Sequence, residues 1–153
     1  MVSNAPAEDI PLDKALNNCA IIIPFRDNYT YTIKCLRSIF EASLSGALPN
    51  IYLVDNNSES SNTFDAIHNI MEEYPDNINL LAYDQPFNFS AINNFAVNQC
   101  SEKYIFFVNN DIEIITPGLF EAGIRCLEDR EIGAIGFELL YADNTIQHSG
   151  IRI

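Results

Sequence analysis

The chain has 153 residues, 48% of them apolar and 19% charged, with a formal net charge of −13; this is ordinary globular composition and enough chain for one domain with a buried core. That charge argues against nucleic acid and against anionic lipid as partners, because both demand clustered Lys and Arg. An acidic protein still accommodates a phosphorylated small molecule if a metal ion or backbone amides offset the repulsion.

Residues 1–18, "MVSNAPAEDIPLDKALNN", contain Pro6 and Pro11 and read as a flexible lead-in to a domain over 19–153. They lack the basic and apolar regions of a signal peptide. "CAIIIPF", 19–25, is a continuous apolar run suited to a strand covered on both faces. "DNYTYTIKCLRSIFEASLSG" follows with Ile33, Leu36, Phe40 and Leu44 at helical spacing and Gly46 as the expected C-cap. "IYLVD", 51–55, is a second strand ending on an acid. "SNTFDAIHNIMEEY" is a second helix, with Ser61 or Asn62 as N-cap and Pro75 just past its end.

"INLLAYD", 78–84, predicts a third strand and "SAINNFAVNQC", 90–100, a third helix with Ile92, Phe95, Ala96 and Cys100 on one face. "YIFFVN" is the fourth strand, and "PGLFEAGIRCLED" the fourth helix, with Pro117 in its first turn. Residues 132–141 and 145–153 read as extended segments around a turn at Ala142-Asp143-Asn144. The pattern βαβαβαβαββ predicts an α/β fold, a mostly parallel sheet with helices on both faces. No apolar run reaches the roughly 20 residues that span a bilayer, so no transmembrane segment is expected.

The cysteines, Cys19, Cys35, Cys100 and Cys126, are scattered. They are expected to be reduced, mostly buried thiols of a cytosolic protein. A zinc site is not expected.

In open sheets, ligands bind outside the carboxyl ends of the strands. Those ends are Pro24-Phe25-Arg26, Asp55-Asn56-Asn57, Asp84-Gln85-Pro86 and Asn109-Asn110-Asp111. No glycine-rich phosphate loop follows the first strand. A nucleotide would have to be held through base and ribose, with a divalent ion on the diphosphate. Asp55 suits a base N–H or ribose hydroxyl, and equally suits a turn or N-cap in "DNNSESSN". Asn110 and Asp111 offer hard oxygen donors for Mg2+ or Mn2+, and equally a turn. In "YDQPFNFSAINNFAVN", Asn88, Asn93, Asn94 and Asn98 crowd a short helix although Asn is a poor helix-interior residue. An N-cap at Asn88 or Ser90 explains one or two of them. His68 reads as a surface helical residue. His148, beside Gly150, is a weak functional candidate.

"AIIIPFRDNYTYTIKCLRSIF", "IYLVDNNS", "YDQPFNFSAINNFAV", "YIFFVNNDIEII" and "IGAIGFELLYADNTIQHSGI" together resemble family 2 glycosyltransferases, above all bacterial rhamnosyltransferase-like members that build surface polysaccharides. The resemblance runs from about Cys19 to Ile153. It implies a GT-A fold whose Rossmann-like half holds a nucleotide-diphosphate sugar, UDP-, dTDP- or GDP-linked, with Mg2+ or Mn2+. It implies transfer with inversion to a glycan or lipid-linked acceptor.

By position, the resemblance puts Asp55 on the base and Pro24 and Phe25 along the nucleoside. Asn94, and with it Asn88, falls near the nucleotide. Asn109-Asn110-Asp111 takes the place of the D-x-D motif, with Asp111 the metal ligand and Asn110 the ribose or diphosphate neighbour. Amides at the first two positions lower the negative charge there and weaken cation affinity. No catalytic base is assigned, since Glu138 and Asp143 sit in no matching motif. The family's base lies further downstream, so the chain is expected to be the donor-binding part of a longer enzyme. Self-association through apolar surface left uncovered is a further expectation. The expected location is cytoplasmic, with the inner membrane face open to a full-length protein. A non-catalytic nucleotide-binding module of the same fold is the alternative, followed by a non-enzymatic α/β receiver or scaffold. A receiver needs an acid pair after the first strand, where "PFRD" supplies only Asp27.

Overall fold

In the computed structural model, which describes residues 16–44 and 46–150, strands and helices alternate as expected. The order is β1 (Cys19–Phe25), α1 (Tyr29–Glu41), β2 (Asn50–Asp55), α2 (Ser61–Glu73), β3 (Ile78–Ala82), α3 (Phe89–Val97), β4 (Tyr104–Phe107) and α4 (Leu119–Leu127). A short hairpin follows, β5 (Leu139–Leu140) with β6 (Ile146–His148). Residues 1–15 of the expected lead-in and 151–153 of the last expected strand lie outside the described residues. Leu16 is already packed in the core.

β1 to β4 form one sheet in the order β3-β2-β1-β4, with every neighbouring pair parallel. Period-two alternation then sorts the side chains onto two faces. Ile21, Ile23, Ile51 and Leu53 face α1, α2 and α4, meeting Leu36, Ile39, Ile67, Ile70, Phe120 and Ile124. Ile22 and Val54 face α3, meeting Ile92 and Ala96. Helices therefore cover both faces. α1 and α2 are also joined by stacking of Phe40 on Tyr74, centroids 3.9 Å apart, and by a two-pronged Arg37–Glu73 ion pair. β5 and β6 pair antiparallel as a separate ribbon, turned at Asn144 with φ 65°.

Several boundaries differ from expectation. α1 ends at Glu41, so Leu44 is 68% exposed instead of buried. Contacts from α4 draw the chain away: Gly118 N–H donates to the Ala42 carbonyl at 2.7 Å, and Leu44 N–H to Glu121 Oε1 at 3.0 Å. Gly118 is itself the left-handed N-cap of α4, φ 75°, which puts Pro117 before the helix and not in its first turn. α2 is capped one residue early, at Ser60. Its entry amides are held by another segment: Asp27 Oδ1 accepts from Glu59 N–H and Ser60 N–H, each at 3.0 Å. That places a carboxylate at a helix N-terminus, where the dipole favours it. All four thiols are free, but only Cys19 and Cys35 are buried; Cys100 is half-buried and Cys126 exposed. Among the described residues no helix is long and apolar enough to cross a membrane.

Candidate functional site

The strand order reverses between β1 and β4, because β2 and β3 lie on one side of β1 and β4 on the other. Such a switch point opens a crevice at the carboxyl ends. Here the last pairing of β1 with β4 is Ile22 with Phe107, and β1 continues to Phe25 without that partner. A cavity of about 500 Å³ occupies the opening.

Pro24, Phe25 and Arg26 supply the β1 wall. The Arg26 guanidinium lies 3.0 Å from Glu59 in an exposed ion pair. Exposed pairs of this kind are weak, so an anion in the cavity competes for Arg26 on good terms. The loop after β1 is bound to the loop after β2, since Asp27 N–H donates to Ser58 Oγ at 2.8 Å.

Asn56 supplies the β2 wall and is only 4% exposed. Its Nδ2 donates to the carbonyls of Tyr83 at 3.0 Å and Gln85 at 2.8 Å, while its backbone N–H donates to Phe25. Asn56 therefore fixes the segment that leads to Phe87 and Phe89. Those two rings line the cavity while 68% and 51% exposed. Exposed aromatic walls in a concave site suit a flat ligand with its own π-face.

Asn109, Asn110 and Asp111 close the cavity on the β4 side. Asn110 Nδ2 donates to Thr32 Oγ1 at 3.0 Å. Asp111 is exposed. Burial pushes the nearby Cys35 thiol up to about 12, and the Asp111 charge adds to the effect.

The structure thus brings together Pro24, Phe25, Asn110 and Asp111. Asp55 is not in the cavity wall, although its neighbour Asn56 and its register partner Phe25 are. Asp55 Oδ1 accepts from Ser58 N–H at 3.0 Å, a local turn contact. Asn88 and Asn94 are also outside the wall. Asn88 Oδ1 accepts from Ala91 N–H at 3.0 Å and so caps α3. Asn94 is exposed, whereas Asn93 is buried and donates to the Phe89 carbonyl. His148 is exposed on the hairpin and is not among the residues that line the cavity. Arg26, Asn56, Phe87, Phe89 and Asn109 were not among the sequence candidates. Three of them stand in the strand-end triplets; the two rings flank Asn88 and were overshadowed by the amides.

Among the described residues no three His, Cys, Asp or Glu side chains cluster as a metal cage. Asp111 with the Asn109 and Asn110 amides offers one carboxylate and neutral oxygens. That donor set fits Mg2+ or Mn2+ arriving with a diphosphate that completes its coordination, and does not fit a resident ion held by protein alone.

Residues 20–145 match the family described as Glycosyl transferase family 2. O-antigen biosynthesis protein RfbC of Myxococcus xanthus is 34% identical over 138 residues, 88% of this chain and 10% of its own length. Protein y4gI of Sinorhizobium fredii is 32% identical over 148 residues, 97% of this chain and 15% of its own length. The chain therefore spans only a small part of the curated relatives it matches. Among solved structures, the mannosyltransferase PcManGT from Pyrobaculum calidifontis, in complex with GDP-Man and Mn2+, superposes with a TM-score of 0.68 at 16% identity. That match covers 85% of this chain and 38% of the other. TarS 1–349 of S. aureus gives a TM-score of 0.58 at 18% identity, covering 74% and 33%. The fold is the GT-A arrangement shared with these neighbours.

Proposed function

The chain belongs to glycosyl transferase family 2, and from that premise we propose that its cavity holds the nucleotide-diphosphate part of an activated sugar. The donor is UDP-, dTDP- or GDP-linked, and the sugar passes with inversion to a glycan or lipid-linked acceptor. The observation that carries this reading is the meeting of unlike groups in one cavity: two exposed aromatic rings, a weakly held guanidinium and an exposed carboxylate. The name of the Myxococcus relative supports a surface polysaccharide as product, and the GDP-Man and Mn2+ of PcManGT support the donor class and cation.

The roles follow from the chemistry. Pro24, Phe25, Phe87 and Phe89 enclose the nucleoside, and Asp55, beside Phe25 at the end of β2, accepts from the base. Asn88 acts through its cap, by placing α3, and Asn94 reaches the nucleotide from the solvent side. Arg26 leaves Glu59 for the diphosphate. Asp111 and Asn110 hold the cation, Mg2+ or Mn2+, which when bound neutralises charge developing on the leaving diphosphate.

Calorimetry with UDP, dTDP and GDP, with and without Mn2+, tests the reading. Asp111→Ala should abolish the Mn2+ dependence, and Asp55→Ala should weaken binding with or without the ion. Equal effects of the two substitutions, or no nucleotide binding at millimolar ligand, would refute the assigned roles.

A further inference from the structure

α1 buries more than its apolar stripe. Thr32 is 0% exposed and Ser38 7%, although hydroxyl residues are mediocre in helix interiors. Both are engaged by the loop that carries Asp111. Thr32 Oγ1 accepts from Asn110 Nδ2 at 3.0 Å. Ser38 Oγ accepts from Ile114 N–H at 2.9 Å while donating to the Cys35 carbonyl at 2.8 Å. Cys35 Sγ lies 3.6 Å from the Asn109 carbonyl, and Lys34 Nζ meets the Glu113 carboxylate at 2.7 Å. Residues 109, 110, 113 and 114 are thus each tied to one helix, with Asp111 held between them.

The simpler account is that α1 merely satisfies the loop's polar groups. Asn109 and Glu113 are exposed, however, and water would serve those two equally well; the partners of the buried hydroxyls, Asn110 and Ile114, are half-buried. What the buried hydroxyls add is a fixed path. From residue 32 to 38 a helix rises about 9 Å, so the loop is set against a rigid ruler. With its Nδ2 on Thr32, Asn110 keeps its hard amide oxygen for a ligand.

Resting on the reading that Asp111 takes the cation, we propose that Thr32 and Ser38 are positioning residues. Their hydroxyls set the 109–114 loop so that Asp111 and the Asn110 amide oxygen meet the metal–diphosphate together. The cation affinity of the site is then set from α1, by residues that touch no ligand.

The test uses the whole chain, with Thr32→Val, Thr32→Ser, Ser38→Ala and Asp111→Ala. Calorimetry with UDP, dTDP and GDP, with and without Mn2+, is paired with amide exchange of residues 109–114 in the ligand-free protein. Thr32→Val should lower Mn2+-dependent affinity about 10-fold or more, as loss of a group that orients a ligand residue does. Metal-free affinity should hold, and Thr32→Ser should restore the loss. Ser38→Ala should speed exchange at Ile114 and lower the same affinity, which keeps the test intact if Thr32→Val folds poorly. Binding by Thr32→Val and Ser38→Ala that matches the unmodified chain in Mn2+ overturns the proposal. So does equal loss with and without Mn2+, the mark of a merely structural role. If the unmodified chain shows no Mn2+ dependence, the cation reading falls and the proposal with it. If Asp111→Ala removes that dependence while Thr32→Val leaves it, only the proposal falls.

Discussion

Asn56→Ala isolates how the aromatic wall is held. The side chain is almost fully buried, and its amide donates to two carbonyls on the segment that leads to Phe87 and Phe89. Each neutral hydrogen bond contributes about 0.5–1.5 kcal/mol net, so losing both costs roughly 1–3 kcal/mol. The backbone bond from Asn56 N–H to Phe25 survives the substitution. With a urea slope of about 1–3 kcal/mol/M, the unfolding midpoint should fall by roughly 1 M. Nucleotide affinity should fall as well, with or without Mn2+, because the rings lose their anchor. Urea unfolding followed by circular dichroism, with calorimetry on the folded variant, measures both. A midpoint indistinguishable from the parent's, together with unchanged affinity, would show that the loop holds itself and that Asn56 is incidental.

Other outcomes follow from burial and charge. Cys126 should alkylate first in the native protein, while Cys19 and Cys35 wait for unfolding; rapid labelling of either buried thiol would contradict the packing. Burial raises both of these thiols from 9.0 to about 12, with Glu102 and Glu121 adding at Cys19 and Asp111 at Cys35. Their contribution to stability is fully present below pH 9 and lost as pH climbs towards 12, which thermal midpoints in alkaline buffers will register. At Glu102, burial raises the carboxyl, but hydrogen bonds from Asn50, its own and the Ser101 backbone N–H, and Tyr52 outweigh it and hold it below 4.5. Its contribution is therefore complete above the ordinary carboxylate range and vanishes as pH falls through the folded value. Glu102→Gln should flatten that acid limb, and an unaltered limb would count against the hydrogen-bond account. A Cβ at Gly123 would stand 2.9 Å from Ile135 and 3.0 Å from Phe137. Gly123→Val should therefore cost roughly 1–3 kcal/mol by overpacking, and a raised melting temperature would refute the contact.

The order of elements was legible because buried parallel strands and amphipathic helices leave different apolar periods. Helix ends were less so. Leu44 has the right spacing to continue α1, yet Glu121 and Gly118, far along the chain, draw its segment away. The strand-end rule gathers Pro24, Phe25, Asn110 and Asp111 around one cavity, because sheet topology alone dictates where carboxyl ends meet. No local signal says which of two neighbours turns into the wall: Asn56 lines it and Asp55 does not. The asparagine-rich stretch was read for its amides, and helix capping claimed one of them. Phe87 and Phe89 beside it carry the exposed surface. Nothing local distinguishes such a ring from a core residue.

The two sides of the sheet are unequally upholstered. Among the described residues three helices press on one, whereas one helix, α3, covers the other, resting Ile92 and Ala96 on Ile22 and Val54. A thinly covered helix breathes more often than a thickly covered one. Phe89 opens that helix and Phe87 just precedes it, so on the proposed reading the hold on a nucleotide depends on the more thinly covered face. On that reading an occupant would tighten the thinly covered face as it settles.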